Sequence, residues 1–133
     1  MKRYLNIIFL MLLMVAAPTA RASYLLVPMD DTQRNHLKAY GVAYFALERE
    51  VEVTWLLNYR GGSFMMKYAD ALEREARLRG VSVEVIADGQ STAILSEIAD
   101  ASVNMDAVRL QKAPKIAVYS PKTKLPWDDA VTL

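Results

Sequence analysis

The chain has 133 residues, with 16 Lys and Arg against 15 Asp and Glu, one His and no Cys. That length predicts a single domain, and the missing cysteine removes disulfides, thiol catalysis and thiolate metal sites. The basic residues are scattered rather than gathered on one face, which excludes the electrostatic footprint of a nucleic-acid binder.

Residues 1–22 predict a secretory signal peptide. Lys2 and Arg3 form a basic start, Ile7 to Ala17 are unbroken apolar residues, and Ala20-Arg21-Ala22 is an A-x-A cleavage pattern. The apolar run is short of the roughly 20 residues a bilayer span needs. Cleavage removes Lys2, Arg3 and Arg21 and no acid, so the 16 basic residues fall to 13 against 15 acids. The mature chain, residues 23–133, then carries a net charge of −2, is exported to the periplasm or the exterior, and has no stable membrane span.

Tyr24-Leu25-Leu26-Val27-Pro28 reads as a buried strand closed by proline. Asp30 or Asp31 caps the helix after it, since a carboxylate accepts from the free N–H groups of a first turn. Along that helix Leu37, Tyr40, Tyr44 and Leu47 recur at helical spacing and predict a core-facing stripe, with Gln33, Arg34, Lys38 and Arg49 largely elsewhere. Val51 to Leu57 is a second strand, followed by the loop Asn58-Tyr59-Arg60-Gly61-Gly62-Ser63-Phe64. A helix from about Lys67 to Arg79 carries Asp70–Arg74 and Glu73–Arg77 as i,i+4 pairs, and Gly80 ends it in the left-handed conformation.

Val81 to Ala87 alternates as a third strand, residues 88–91 form a turn, and a helix runs from Thr92 to about Ser102 with Ile94, Leu95 and Ile98 inward. Residues 103–113 fit no single pattern. Ile116 to Tyr119 is a fourth apolar strand, and Trp127 to Leu133 starts another helix. The order βαβαβαβ(α) predicts an α/β fold with an open parallel sheet between two helical layers. Strands 1 and 4 are uniformly apolar and strand 3 alternates, which fits the order 3-2-1-4. The last helix has no cap before Leu133, so the chain reads as the N-terminal part of a longer protein.

Ligands of open parallel sheets bind beyond the strands' C-terminal ends, at the point where the order reverses. That rim would gather Asp30, Asp31, Arg60, Gly61, Gly62, Ser63 and Lys122 into a site for a small anionic or amino-acid-like ligand. Each has a structural reading beside the functional one. The two aspartates cap a helix or serve as acid and base. The glycines make a turn or aim N–H groups at an anion beside Arg60. Neither nucleotide-loop fingerprint is present. His36, the single histidine, is a general-base candidate with no second histidine for a metal site. Ser63 and Ser91 lack a nucleophile-elbow context and an identifiable base.

Three segments, YLLVPMDDTQRNHLKAYGVAY, WLLNYRGGSFMM and PKIAVYSPKTKLPWDDAVTL, together resemble the N-terminal part of exported bacterial proteins labelled asparagine synthetase B-like. The resemblance runs from about Ser23 to Leu133 and implies a glutamine-amidotransferase-like α/β region beginning near KIAVYSP. The label implies a glutamine-hydrolysing asparagine synthase, with a cysteine nucleophile and a Ser-Gly-Gly-x-Asp loop. Neither stands in this sequence, so no catalytic residue carries over, and the cofactor stays unknown. Three functions stay open: a ligand-binding domain of that family, an amide-processing enzyme with its catalytic residues past 133, or a non-catalytic interaction module.

Overall fold

In a computed structural model of the chain, residues 23–115 and 117 are described. The expected signal peptide, the loop bearing Lys122 and the expected helix start at 127–133 lie outside the described residues, as does the expected strand at 116–119 apart from Ala117. The elements are β1 (Tyr24–Val27), α1 (His36–Leu47), β2 (Val53–Leu57), a 3-10 turn (Tyr59–Gly61), β3 (Ser63–Lys67), α2 (Asp70–Leu78), β4 (Glu84–Ile86), α3 (Asp88–Ile98) and β5 (Asp106–Leu110).

The five strands form one sheet in the order β4-β1-β3-β2-β5, and every neighbouring pair is antiparallel. The parallel sheet with order 3-2-1-4 is therefore corrected. What overturns it is β3, a strand where a loop and helix lead-in were expected. The NYRGGSF stretch joins β2 to β3 as a hairpin, so Trp55 faces Phe64 and Val53 faces Met66 across the pair. Inserting one strand between two crossover helices reverses the direction of everything after it. The first four strands and two helices then follow the split βαβ, ferredoxin-like plan, with α3 and β5 appended.

Both faces of the sheet are buried. Leu25, Val27, Val53, Phe64 and Met66 meet Ala39, Val42, Ala43 and Ala46 of α1 and Leu72 and Ala76 of α2. On the opposite face Leu26, Leu56, Met65 and Ile86 meet Ile98, with Ile94 beside it. β3 feeds both cores, which its position in mid-sheet demands. Its Phe-Met-Met run lacks the β-branched residues that mark strands.

The buried stripe of α1 is Ala39, Val42, Ala43, Ala46 and Leu47. Of the expected core-facing residues only Leu47 is among them; Leu37 is 85% exposed, Tyr40 51% and Tyr44 40%. Small side chains let the helix approach the sheet closely, and the larger ones are turned to its flank. The N-cap is Asn35, whose side chain accepts from Lys38 N at 3.0 Å, and neither Asp30 nor Asp31 caps the helix.

The end of α2 matches its expectation. Gly80 has φ +72°, its N–H donates to Arg77 O at 3.0 Å, and Val81 N–H donates to Ala76 O at 2.9 Å. Those two bonds satisfy the orphan carbonyls of a Schellman end, and buried Val81 covers it. At the start of α2 the Tyr68 hydroxyl lies 2.8 Å from a carboxylate oxygen of both Asp70 and Glu73 and donates its single proton to one of them at a time, while Arg77 donates to Glu73. Asp88 to Ser91, expected as a turn, are the first turn of α3, and Leu95 is exposed rather than inward. No helix among the described residues is long and apolar enough to cross a membrane.

Candidate functional site

The hairpin after β2 is built from unusual backbone. Asn58, Arg60, Gly61 and Gly62 all have positive φ, at 60°, 45°, 80° and 93°. For arginine that region is strained, and strain of this kind persists only where surrounding contacts over-determine it. They do so here. Met29 N–H and Ser63 Oγ–H both donate to Arg60 O at 3.2 Å, which clamps the hairpin tip onto the end of β1. Trp55 Nε1–H donates to Gly62 O at 3.1 Å and closes the other side.

The Arg60 guanidinium then reaches two carboxylates. Nε donates to Asp30 Oδ2 at 2.6 Å, NH1 donates to Glu84 Oε2 at 3.0 Å, and NH2 lies 2.9 Å from Glu84 Oε1. Asp30 also accepts from Thr32 N–H at 3.1 Å and from the Thr32 hydroxyl. The Arg60 bond, followed by the Thr32 hydroxyl, holds the Asp30 carboxyl down to about 2. Arg60 is itself pushed up by Glu84 first and Asp30 second, so it stays a cation at any pH the fold survives.

Sequence-predicted residues thus meet in part. Asp30 and Arg60 form one network. Asp31 is exposed outside it. Ser63 is fully buried and its hydroxyl is used on Arg60 O. Gly61 sits where an added Cβ would lie 2.4 Å from Met29 O, and the Gly62 N–H is taken by Tyr59 O at 3.0 Å. His36 places Nε2 3.1 Å from Met29 O, a structural contact at the helix start. Ser91 is buried with its hydroxyl on Asp88 O at 2.8 Å. Lys122 lies outside the described residues.

Two residues of this region were not singled out from the sequence. Glu84 reads as the wet face of a strand, and only the hairpin's fold-back makes it an Arg60 partner. Gln33 reads as a helix-surface residue yet is buried; it bridges Pro28 O and Ser82 at the meeting of β1 and the approach to β4. A shallow cleft of about 430 Å³ lies elsewhere, lined by Arg34, Arg77, Gly80, Val81, Ser82 and Val83.

The rim's chemistry is that of a lock. One guanidinium shared by two carboxylates leaves no surplus positive charge for an anion, and no group of three His, Asp or Glu among the described residues gathers to hold a metal. The linkage to pH follows from Asp30. Its folded pKa lies below the unfolded value of about 4, so its contribution is full above about pH 4 and fades as pH falls toward 2. Urea unfolding of residues 23–133 from pH 6 to pH 2 is expected to show this loss, and Asp30→Asn to flatten it; an unchanged profile in Asp30→Asn would show that the pair does not form.

Comparison of the chain with protein-family models, with curated proteins and with solved structures found no match.

Proposed function

We propose that the domain is a non-catalytic docking module of an exported protein similar to those labelled asparagine synthetase B-like. The observation that carries this reading is the apolar flank of α1. Leu37, Tyr40 and Tyr44 lie on one side of the helix and stand well out of the core, and Val108 of β5 is 37% exposed. Tyr40 meets buried Phe64 edge-on at 5.4 Å, and Phe64 stacks on half-buried Trp55 at 6.2 Å, so the ring of Tyr40 is anchored to the core while its outer side stays exposed. A contiguous apolar surface rimmed by polar residues on a small domain marks a place where polypeptide docks. Export and family are supported by the signal pattern and by the three resembling segments of the sequence.

The small anionic ligand expected at the rim has weaker support. An anion at Arg60 would have to displace Asp30 or Glu84, each already hydrogen-bonded to the guanidinium.

Docking is tested by placing the photo-reactive residue p-benzoylphenylalanine at Tyr44 of the exported chain, with Arg74 on exposed α2 surface as control. Irradiation is expected to give a polypeptide adduct from position 44 and little from position 74, read by peptide mass mapping. Equal yields from the two positions would remove the docking surface.

A further inference from the structure

β4 is an edge strand, and its neighbours fix which way its backbone groups point. It pairs with β1 alone, in the register Tyr24↔Ile86, Leu25↔Val85 and Leu26↔Glu84. Two places further along, the same register sets Pro28 opposite Ser82, and there the Gln33 amide stands between the strands. Its Nε2 donates to Pro28 O and Ser82 O, and its Oε1 accepts from Ser82 N–H. At the other end Ile86 O accepts from Ser23 N–H. Ser82 and Ile86 thus turn their backbone groups toward β1, and Glu84 midway between them does the same, because the direction alternates along a strand. Val83 and Val85 turn theirs away from the sheet.

Those four N–H and C=O groups have no hydrogen-bond partner among the described residues. The open stretch has fixed ends. Before it, Val81 N–H donates to Ala76 O at 2.9 Å; after it, Ala87 N–H donates to Gln90 Oε1 at 3.2 Å. Edge strands are commonly blunted by lysine, proline or a charge. Residues 81–87 hold no lysine or proline, and the Glu84 carboxylate is held by Arg60. Val83 packs partly on the core beneath α1 and α2, and Val85 is 42% exposed.

The cleft of about 430 Å³ adjoins the start of this edge, since Val81, Ser82 and Val83 line it together with Arg34 and Arg77. Arg77 is bound through Nε and NH2 to Glu73. Arg34 is exposed and makes no ion pair or side-chain hydrogen bond among the described residues. Unlike Arg60, it leaves a positive charge unmatched, and that charge stands beside open backbone.

We propose that β4 takes up an extended peptide segment as an added strand, paired through Val83 and Val85, with a carboxylate of that segment on Arg34 in the cleft. Main-chain bonds to the edge supply affinity, and the carboxylate selects the segment. A second copy of this chain suits the edge less well. The antiparallel pairing that uses all four groups in both copies sets Glu84 opposite Glu84, and like charges facing across a pair are destabilising. The site shares no residue with the α1 flank and stands independently of it.

Residues 23–133 are panned against displayed random dodecapeptides, and the selected peptides are titrated by fluorescence anisotropy. The selected sequences are expected to alternate β-branched residues and to carry Asp or Glu. Arg34→Glu is expected to weaken them about tenfold or more, the scale of one charge-assisted hydrogen bond. Val85→Pro removes an N–H that bonds nothing in the free chain, so it is expected to abolish binding and keep the circular dichroism of the parent. A second measurement leaves the chain unaltered: the Val83 and Val85 amides are expected to exchange rapidly with solvent and to slow about tenfold or more when peptide binds. Failure to select any peptide, indifference of the peptides to Arg34→Glu, or protection of both amides in the free monomer would each overturn the proposal. A dimer in sedimentation with both amides protected would replace the peptide with a second copy. Binding kept in Val85→Pro and lost in Tyr44→Asp would assign the peptides to the α1 flank instead.

Discussion

Gly61→Ala is expected to destabilise the domain by about 3 kcal/mol or more, the largest effect of any small substitution in the hairpin. Two causes add. Gly61 has φ +80°, where an L-residue costs on the order of 1–2 kcal/mol. A Cβ there would also stand 2.4 Å from Met29 O and 2.7 Å from the Met29 carbonyl carbon. Backbone cannot step aside as a flexible side chain can, because Met29 N–H is itself bonded to Arg60 O. The comparison that separates the causes is Gly80→Ala. Gly80 has a similar φ of +72° and nothing within 4 Å of its added Cβ, so it should lose only about 1 kcal/mol. Chemical denaturation of the two variants beside the parent chain reads the difference directly. If both lose the same amount, the hairpin does not abut the end of β1 and the Asp30–Arg60 network is misplaced with it.

The same glycine shows what the sequence reading could and could not reach. NYRGGSF was legible as a tight turn whose glycines serve backbone geometry. Its outcome, a hairpin rather than a strand-to-helix turn, depended on Ser63–Lys67. Phe64, Met65 and Met66 carry no alternation, because a central strand with two buried faces needs none, and methionine has no strand preference to betray it. Missing that strand turned an antiparallel sheet into a parallel one, while β1, β2 and the Schellman end of α2 were read from local signals that tertiary context did not alter.

The face of α1 failed for a different reason. Two stripes of similar spacing run along it, one of Leu37, Tyr40 and Tyr44 and one of Ala39, Val42, Ala43 and Ala46. Hydrophobic periodicity favours the bulkier, but close helix–sheet approach favours the smaller. The residues so displaced are those that form the apolar flank, so the error and the proposed function have one origin. In the rim, Asp30 and Arg60 were legible as charged residues at turns. Glu84 and Gln33 were not, since their partners lie 24 and 49 positions away and are brought to them only by the hairpin and by the path into β4.

Gln33→Leu is expected to cost about 2–4 kcal/mol, although leucine matches glutamine roughly in volume and leaves no large cavity. Gln33 is 5% exposed. Its Nε2 donates to Pro28 O at 2.8 Å and to Ser82 O at 3.2 Å, and its Oε1 accepts from Ser82 N–H at 2.9 Å. Removing the amide leaves four backbone groups without this partner, the fourth being Asn35 N–H at 3.4 Å from Oε1. They are buried or partly buried at the junction of β1, the loop before α1 and the approach to β4. Gln33→Glu divides the account. A carboxylate still accepts from Ser82 N–H but faces two carbonyl oxygens with nothing to donate, so it is destabilised at neutral pH and its pKa is raised. Protonation restores one donor. The deficit of Gln33→Glu relative to the parent chain is therefore expected to shrink as pH falls through the raised pKa, whereas that of Gln33→Leu stays flat. Parallel urea titrations of the three chains distinguish the two courses, and a flat deficit in Gln33→Glu would show that the amide's donor side contributes nothing to holding β1 against β4.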